Sequence, residues 1–210
     1  MHISDGVLPT SISAASFALT GIGVALSLRK IRQDDLPKIA VVTSSFFVAA
    51  LIHLPLGPTS VHLLLPGIVG ALLGPAAFLS IVVGLFLQSI LFQYGGLTAL
   101  GANALMMGVP AYLCGVLFQS IRGDTLKTNS IAGAITGALG IVLSAIILAG
   151  LLFYSGEDFF GVAKIALAAH IPVIFIEAAI SAFIVSFIFR VKPEMLHHSG
   201  TLHHNDGSHA

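Results

Sequence analysis

The chain has 210 residues, of which 56% are hydrophobic and only 9% charged, with a formal net charge of zero. Its mean hydropathy is +1.01. Soluble domains carry about 25% charged and about 45–50% apolar residues, so the composition excludes one and indicates a polytopic membrane protein in the lipid bilayer. The neutral balance offers nothing to nucleic acid or to an anionic partner. A single cysteine, Cys114, lies in an apolar run and reads as buried filler, which excludes a disulfide framework or thiolate cluster within the chain.

The chain opens on MHISDGVLP, with Asp5 as the one permanently charged side chain before the basic cluster Arg29, Lys30 and Arg32. A secretory signal places its basic residues before the apolar run, so no cleavage is expected. Met1 is expected to stay on the chain, because a bulky second residue, His2, hinders its removal.

A span needs roughly 20 apolar residues. Candidates fall near 11–28, 37–54, 60–74, 76–94, 98–121, 129–154 and 162–190, which predicts an all-α bundle of about seven transmembrane helices. Eight of the nine basic residues then fall on one side, in the 29–38 linker, at Arg122 and Lys127, and at Arg190 and Lys192, leaving only Lys164. The positive-inside rule places the N-terminus outside and the C-terminus in the cytoplasm.

Two segments depart from an ordinary span. The 60–74 run is short and follows Leu54-Pro55-Leu56-Gly57-Pro58-Thr59, which cannot continue a helix. Irregular backbone there requires burial in protein or a cavity to line. The 162–190 segment is overlong, so it is expected to tilt strongly or to lie partly along the interface. Gly133-Ala-Ile-Thr-Gly137 reads as a helix-packing motif. The domain reading is one membrane unit over 1–192, with 1–10 as a metal-binding segment, and a polar tail over 193–210. That tail carries five of the nine histidines and is expected to be disordered.

The Met1 amine, the His2 backbone nitrogen and the His2 imidazole lie along one short stretch. The amine and amide close a five-membered chelate ring, and the amide and Nδ1 a six-membered one. All-nitrogen planar donors suit Ni(II) or Cu(II) rather than Zn(II) or Mg(II). His62, read as one turn into the third span on the same side, is the candidate for the fourth nitrogen, against the mild repulsion of a helix N-terminus for a cation. Asp5 is a turn residue that could support this segment. Glu177 and His170 lie two turns apart on one helix face and could line a polar seam, either as a structural pin or as an intramembrane acid–base pair. His53 reads as a helix-end or interface residue, and Gln88, Gln93 and Asn103 as interhelical hydrogen-bonding groups. No G-x-x-x-x-G-K-[ST] loop and no H-E-x-x-H is present, so a transporter built from this chain uses a gradient or borrows an ATPase.

Several stretches in order resemble the substrate-binding membrane subunit of nickel/cobalt energy-coupling-factor transporters, the NikM/CbiM family. They are MHISDGVLP, PTSVHLLLPGIVGALLGP around His62, ILFQYGGLTALGANALMMG from Ile90, HIPVIFIEAAI at 170–180 and RVKPEML at 190–196. The resemblance implies a seven-helix, non-enzymatic transport subunit in a prokaryotic cell (inner) membrane. It implies metal held by Met1, His2 and His62; Asp5, Asn103, His170 and Glu177 are candidate supporting or structural residues read from the sequence itself. It further implies two ATP-binding-cassette subunits, a transmembrane coupling subunit and a small accessory membrane subunit as partners. The Thr-Ser-Val-His wording is similar to nickel-type members, making Ni2+ the first choice of cargo and Co2+ the alternative.

Overall fold

A computed structural model describes residues 2–56, 59–156 and 160–197; for 53–56, 59–62, 160, 162, 163 and 166 the backbone alone is described. Seven α-helices occur among these residues. They are α1 (Thr10–Leu28), α2 (Leu36–Ala49), α3 (Pro66–Leu73), α4 (Ala77–Phe92), α5 (Leu100–Ile121), α6 (Leu126–Ser155) and α7 (Phe160–Val191). Short 3-10 turns at Gln33–Asp35, Gly74–Ala76 and Pro193–Leu196 link or end them. The all-α reading holds, with one addition. An antiparallel hairpin of β1 (His53–Leu56) and β2 (Thr59–His62) separates α2 from α3.

The surface is that of a membrane protein. Helical stretches at Thr10–Leu28, Pro66–Phe92, Leu100–Ile121, Leu126–Ser155 and Leu167–Val191 are long and apolar enough to cross a bilayer. Large side chains such as Leu19, Ile22, Leu26, Phe175 and Phe183 face outward. On α1 the polarity is inverted: Ser16, Thr20 and Ser27 are its buried residues. Thr20 Oγ1 donates to the Gly101 carbonyl at 2.9 Å and Ser27 Oγ to the Pro75 carbonyl at 2.6 Å. With lipid as solvent, apolar burial no longer drives helix association, and such hydroxyl contacts take its place.

The third span differs from the sequence expectation. Residues 60–65 are strand and coil, and α3 is only eight residues long, about 12 Å at 1.5 Å per residue. Pro66 begins it and Gly74, at φ 52°, ends it. Contacts give its direction. Gly70 lies against Ala111, and Gly74 lies lower, against Gly115, so α3 runs parallel to α5. Phe78 of α4 meets Gly108, and the chain after α4 returns to Asn103, so α4 runs antiparallel to α5. The Pro66–Phe92 stretch is therefore a bent hairpin of helices. Because Gly67 sits against Thr136, Gly137 and Gly140, near the middle of α6, α3 starts about halfway through the bundle.

The last two helices form the longest packed pair. α6 has 30 residues and α7 has 32, about 45 and 48 Å against a hydrocarbon core of about 30 Å. The early part of α7 continues the helix through Pro172 rather than leaving it. Gly133 packs on the Ser181 carbonyl and Val185, and Gly137 on Ser181 and the Glu177 carbonyl, as expected for a small-residue seam. Past α7 the chain folds back. Leu196 is buried, its carbonyl accepts from Gln119 Nε2 at 2.8 Å, and the His197 carbonyl accepts from Lys38 Nζ at 3.2 Å. The segment read as a free tail from 193 thus begins with an ordered turn in which Leu196 is buried and Met195 and His197 are half-buried; 198–210 lie outside the described residues.

Candidate metal-capture site

Residues 2–5 are held at three points by the α4–α5 connection and the start of α5. Asn103 is buried in the first turn of α5. Its Oδ1 accepts from Ile3 N at 2.8 Å and its Nδ2 donates to the Ile3 carbonyl at 3.0 Å. One side chain thereby satisfies both polar groups of a buried residue, as a neighbouring strand would. Ile3 itself is part of the core. Two residues on, Asp5 Oδ1 accepts from Thr98 N at 2.8 Å, Thr98 Oγ1 at 2.6 Å and Ala99 N at 3.3 Å. Those groups lead into α5, so Asp5 supplies that helix start with an acceptor and a favourable charge. The Thr98 hydroxyl, then the backbone N–H groups, hold the Asp5 carboxyl below its ordinary pKa.

The glycine pair between α4 and α5 makes this possible. Gly95 and Gly96 have φ of 78° and 83°, a region that favours glycine. A Cβ on Gly95 would stand 2.8 Å from Asn103 Nδ2 and 3.0 Å from His2 Cβ, and one on Gly96 would enter the Asp5 carboxyl. The Gly-Gly-Leu-Thr-Ala-Leu-Gly-Ala-Asn stretch is therefore a clasp for the first residues of the chain.

His2 is enclosed by this clasp. Its ring lies 6.4 Å from that of Tyr94, at 29° between planes. Burial pushes the imidazole pKa down to about 4, partly opposed by the amide of Gln88. A neutral imidazole is the form that binds a metal ion. Gln88 itself is wholly buried near the end of α4, with its amide beside the His2 ring. Read from sequence as interhelical glue, it instead faces a predicted ligand; its spacing in an apolar helix carries no signal of that.

The second stretch predicted from sequence to bear a ligand, around His62, is anchored from α7. Glu177, wholly buried, accepts through Oε1 from Leu64 N at 2.6 Å and Leu65 N at 3.0 Å, and through Oε2 from Leu65 N at 3.1 Å. Leu65 is the left-handed residue, φ 49°, that precedes α3. Backbone N–H groups inside a membrane protein must be satisfied internally, and here a carboxylate does so at a helix N-terminus. Of the two roles read from sequence, the structural pin is the one observed. The acid–base pairing of Glu177 with His170 is not, because the carboxylate is committed to Leu64 and Leu65. His170 is buried in α7 two turns earlier.

His62 ends β2, rather than lying within a helix, and its side chain is outside the described residues, as is Met1. The helix-dipole objection to a cation at His62 therefore falls away. His53 is the register partner of His62 in β1. Among the described residues, no three His, Cys, Asp or Glu side chains converge.

The family model described as the cobalt uptake substrate-specific transmembrane region, CbiM, matches residues 2–195. The chain belongs to this family. Among its CbiM-family relatives, a putative metal transport protein of Haemophilus influenzae is 34% identical over 93% of this chain and 97% of its own. A putative cobalt transport protein CbiM of Halobacterium salinarum is 34% identical, with 90% and 93% covered. A putative fused nickel transport protein NikMN of Archaeoglobus fulgidus is 32% identical, covering 93% of this chain and 68% of the fused one. A crystal structure of a transition metal transporter superposes with a TM-score of 0.72 at 25% identity, over 91% of this chain and 93% of the other. The protein is thus a multi-pass membrane component of transition-metal uptake, and not an enzyme.

Proposed function

We propose that this chain captures Ni2+ at the outer face of the cell membrane, in a four-nitrogen site, as the substrate-binding subunit of an energy-coupling-factor importer. Three nitrogens come from the Met1 amine and from the His2 backbone and ring; the fourth comes from His62. The observation that carries this reading is the reciprocal Ile3–Asn103 pair. It fixes the first residues of a chain in the protein interior, where a terminus is ordinarily loose. Fixing residue 3 on both its N–H and its carbonyl sets the position of the His2 backbone nitrogen, and the clasp sets its ring.

The basic-residue distribution supports an outward N-terminus and a cytoplasmic C-terminus, with residues 1–192 as one membrane unit. Resemblance to energy-coupling-factor transporters carries the partner set: two ATPases drive import through a transmembrane coupling subunit. A small accessory membrane subunit completes the assembly. The relatives' names include both nickel and cobalt. The Thr59-Ser60-Val61-His62 wording favours nickel, and Co2+ is the alternative cargo.

The deciding experiment is a nickel titration of the native chain against one with glycine inserted before Met1, followed by absorption spectroscopy. The insertion should abolish high-affinity binding and the diamagnetic planar spectrum. Unchanged affinity and spectrum would remove the N-terminal chelate from the site.

A further inference from the structure

α1 and α5 meet closely where Phe17 lies against Gly101, and they part beyond that point. A Cβ on Gly101 would stand 2.7 Å from the Phe17 backbone nitrogen. Further along both helices the Phe78 ring of α4 stands between them. A Cβ on Gly23 of α1 would meet that ring at 2.6 Å, and one on Gly108 of α5 at 2.7 Å. The Gly74–Ala76 bend that leads into α4 lies against Gly115 of α5. It therefore stops about 9 Å short of the end of α5 at Ile121. The angle left between α1 and α5 is a groove of about 490 Å3. Leu19, Ile22 and Leu26 of α1 and Leu105 and Val109 of α5 wall it with hydrocarbon, Phe78 closes its back, and Lys30 stands at its charged end. The Ser27 hydroxyl, which also faces the groove, is spent on the Pro75 carbonyl.

The groove opens to the membrane, because Leu19, Ile22 and Leu26 are all more than half exposed. From Leu19 to the end of α1 at Leu28 the helix runs about 14 Å, close to one leaflet of a hydrocarbon core about 30 Å thick. The apolar wall thus ends at headgroup depth, where Lys30 begins. A lysine stem lies along apolar surface while its ammonium reaches the polar layer. Lys30 is exposed and makes no ion pair among the described residues, whereas Arg32 in the same linker faces Asp34 at 3.9 Å. An apolar slot one leaflet long with a single cation at its mouth matches one acyl chain and one anionic phosphate.

We propose that this groove binds an anionic phospholipid, with an acyl chain along Leu19, Ile22 and Leu26 and the phosphate on the Lys30 ammonium. The proposed outward N-terminus makes this a site of the cytoplasmic leaflet; the site itself depends neither on that topology nor on the metal ligands. The lipid fills the space that the short α3–α4 bend leaves open, and it supports the lower half of α1.

The sequence contains no tryptophan, so a single introduced one reports on its own surroundings. The full chain is placed in vesicles of phosphatidylcholine and phosphatidylglycerol, with one lipid or the other brominated on its acyl chains and both leaflets alike. Quenching of Ile22→Trp should show phosphatidylglycerol bound about fivefold more tightly than phosphatidylcholine, equivalent to about 1 kcal/mol at about 1.4 kcal/mol per tenfold. Phe175→Trp, at a lipid-facing position on α7 away from the groove, should show no preference. Adding Lys30→Gln to Ile22→Trp should remove the preference, and adding Lys30→Arg should keep it. Leu19→Trp, one turn deeper in the groove, gives a second reading and decides the matter if Ile22→Trp folds poorly. Equal quenching by the two lipids in the groove overturns the site, as a slot reserved for a partner's helix would give. A preference that survives Lys30→Gln, or that Phe175→Trp shares, overturns it equally.

Discussion

Asn103→Ala tests whether the start of the chain is held as a device or merely rests on the bundle. The substitution removes two hydrogen bonds, of 2.8 and 3.0 Å, from the backbone of Ile3. Ile3 and Asn103 are both buried, so its N–H and carbonyl lose their partners without gaining water. Each stranded group costs about 1–3 kcal/mol, giving about 2–6 kcal/mol against the docked conformation. If binding requires the docked segment, apparent affinity falls with the docked fraction. The lower limit of about 2 kcal/mol corresponds to at most about a 30-fold loss, at about 1.4 kcal/mol per tenfold, reduced by whatever margin holds the wild-type segment docked. The assay pairs nickel titration with amide hydrogen exchange over residues 2–6. Protection should be lost in the metal-free variant, and nickel affinity should drop, although no proposed ligand has been touched. Wild-type affinity together with lost protection would refute the link between docking and binding.

Four further outcomes follow from the same contacts. Glu177→Ala strands the Leu64 and Leu65 N–H groups and should destabilise the bundle by about 2–6 kcal/mol; Glu177→Gln keeps one acceptor and should cost less, as read from thermal unfolding in detergent. Gly96→Ala, at φ 83° with the Asp5 carboxyl where its Cβ would stand, should expel Asp5 and weaken nickel binding, while Gly21→Ala, which meets nothing within 4 Å, should change neither. The folded pKa of Asp5 lies below its ordinary value. Its contribution to docking is therefore fully present above that ordinary value, about 3.9, and is lost as pH falls through the folded one. Hydrogen exchange of the metal-free segment at several pH values checks this, and Asp5→Asn should lack the transition. Gln88→Leu removes the amide that faces His2 while filling a similar volume, and it should reduce nickel affinity by about 10–100-fold, the usual effect of losing a residue that orients a metal-bound imidazole.

Much of this was legible in the sequence because the solvent is lipid. Hydropathy alone located α1, α5 and α6, and the Pro-Leu-Gly-Pro interruption marked the place where helix gives way. The same measure failed at 60–65. Thr59–His62 is β-strand and Leu63–Leu65 is coil, yet Val61 and the three leucines count as apolar whatever their backbone does. Only the Glu177 carboxylate, 113 residues from Leu64, explains why a non-helical leucine run is stable there. The Met1 and His2 reading needed no tertiary structure, since chelate rings are a local matter, whereas His62 was joined to it only through the span count and the charge distribution. Its supports could not be found that way. Asn103 and Gln88 are both amides in apolar helices, and only packing distinguishes one that pairs with the Ile3 backbone from one that faces a ring.

The two stretches proposed to bear ligands are held by the same kind of contact, and they differ in depth. Asp5 accepts N–H groups that lead into α5; Glu177 accepts N–H groups that lead into α3. Each places a carboxylate at a helix start, where charge and dipole reinforce one another. Asp5 does so in water, where screening keeps such contacts weak. Glu177 does so with no exposed surface, where losing the acceptor leaves its donors stranded. In the proposed site the hairpin end at His62 is therefore the fixed half, and the N-terminal segment the half that can let go. A clasp that releases on the ligand side free of the buried anchor lets the chelate open without unpacking α3. This asymmetry is why the Asn103 and Asp5 substitutions should act on nickel affinity, and the Glu177 substitutions on the stability of the whole bundle.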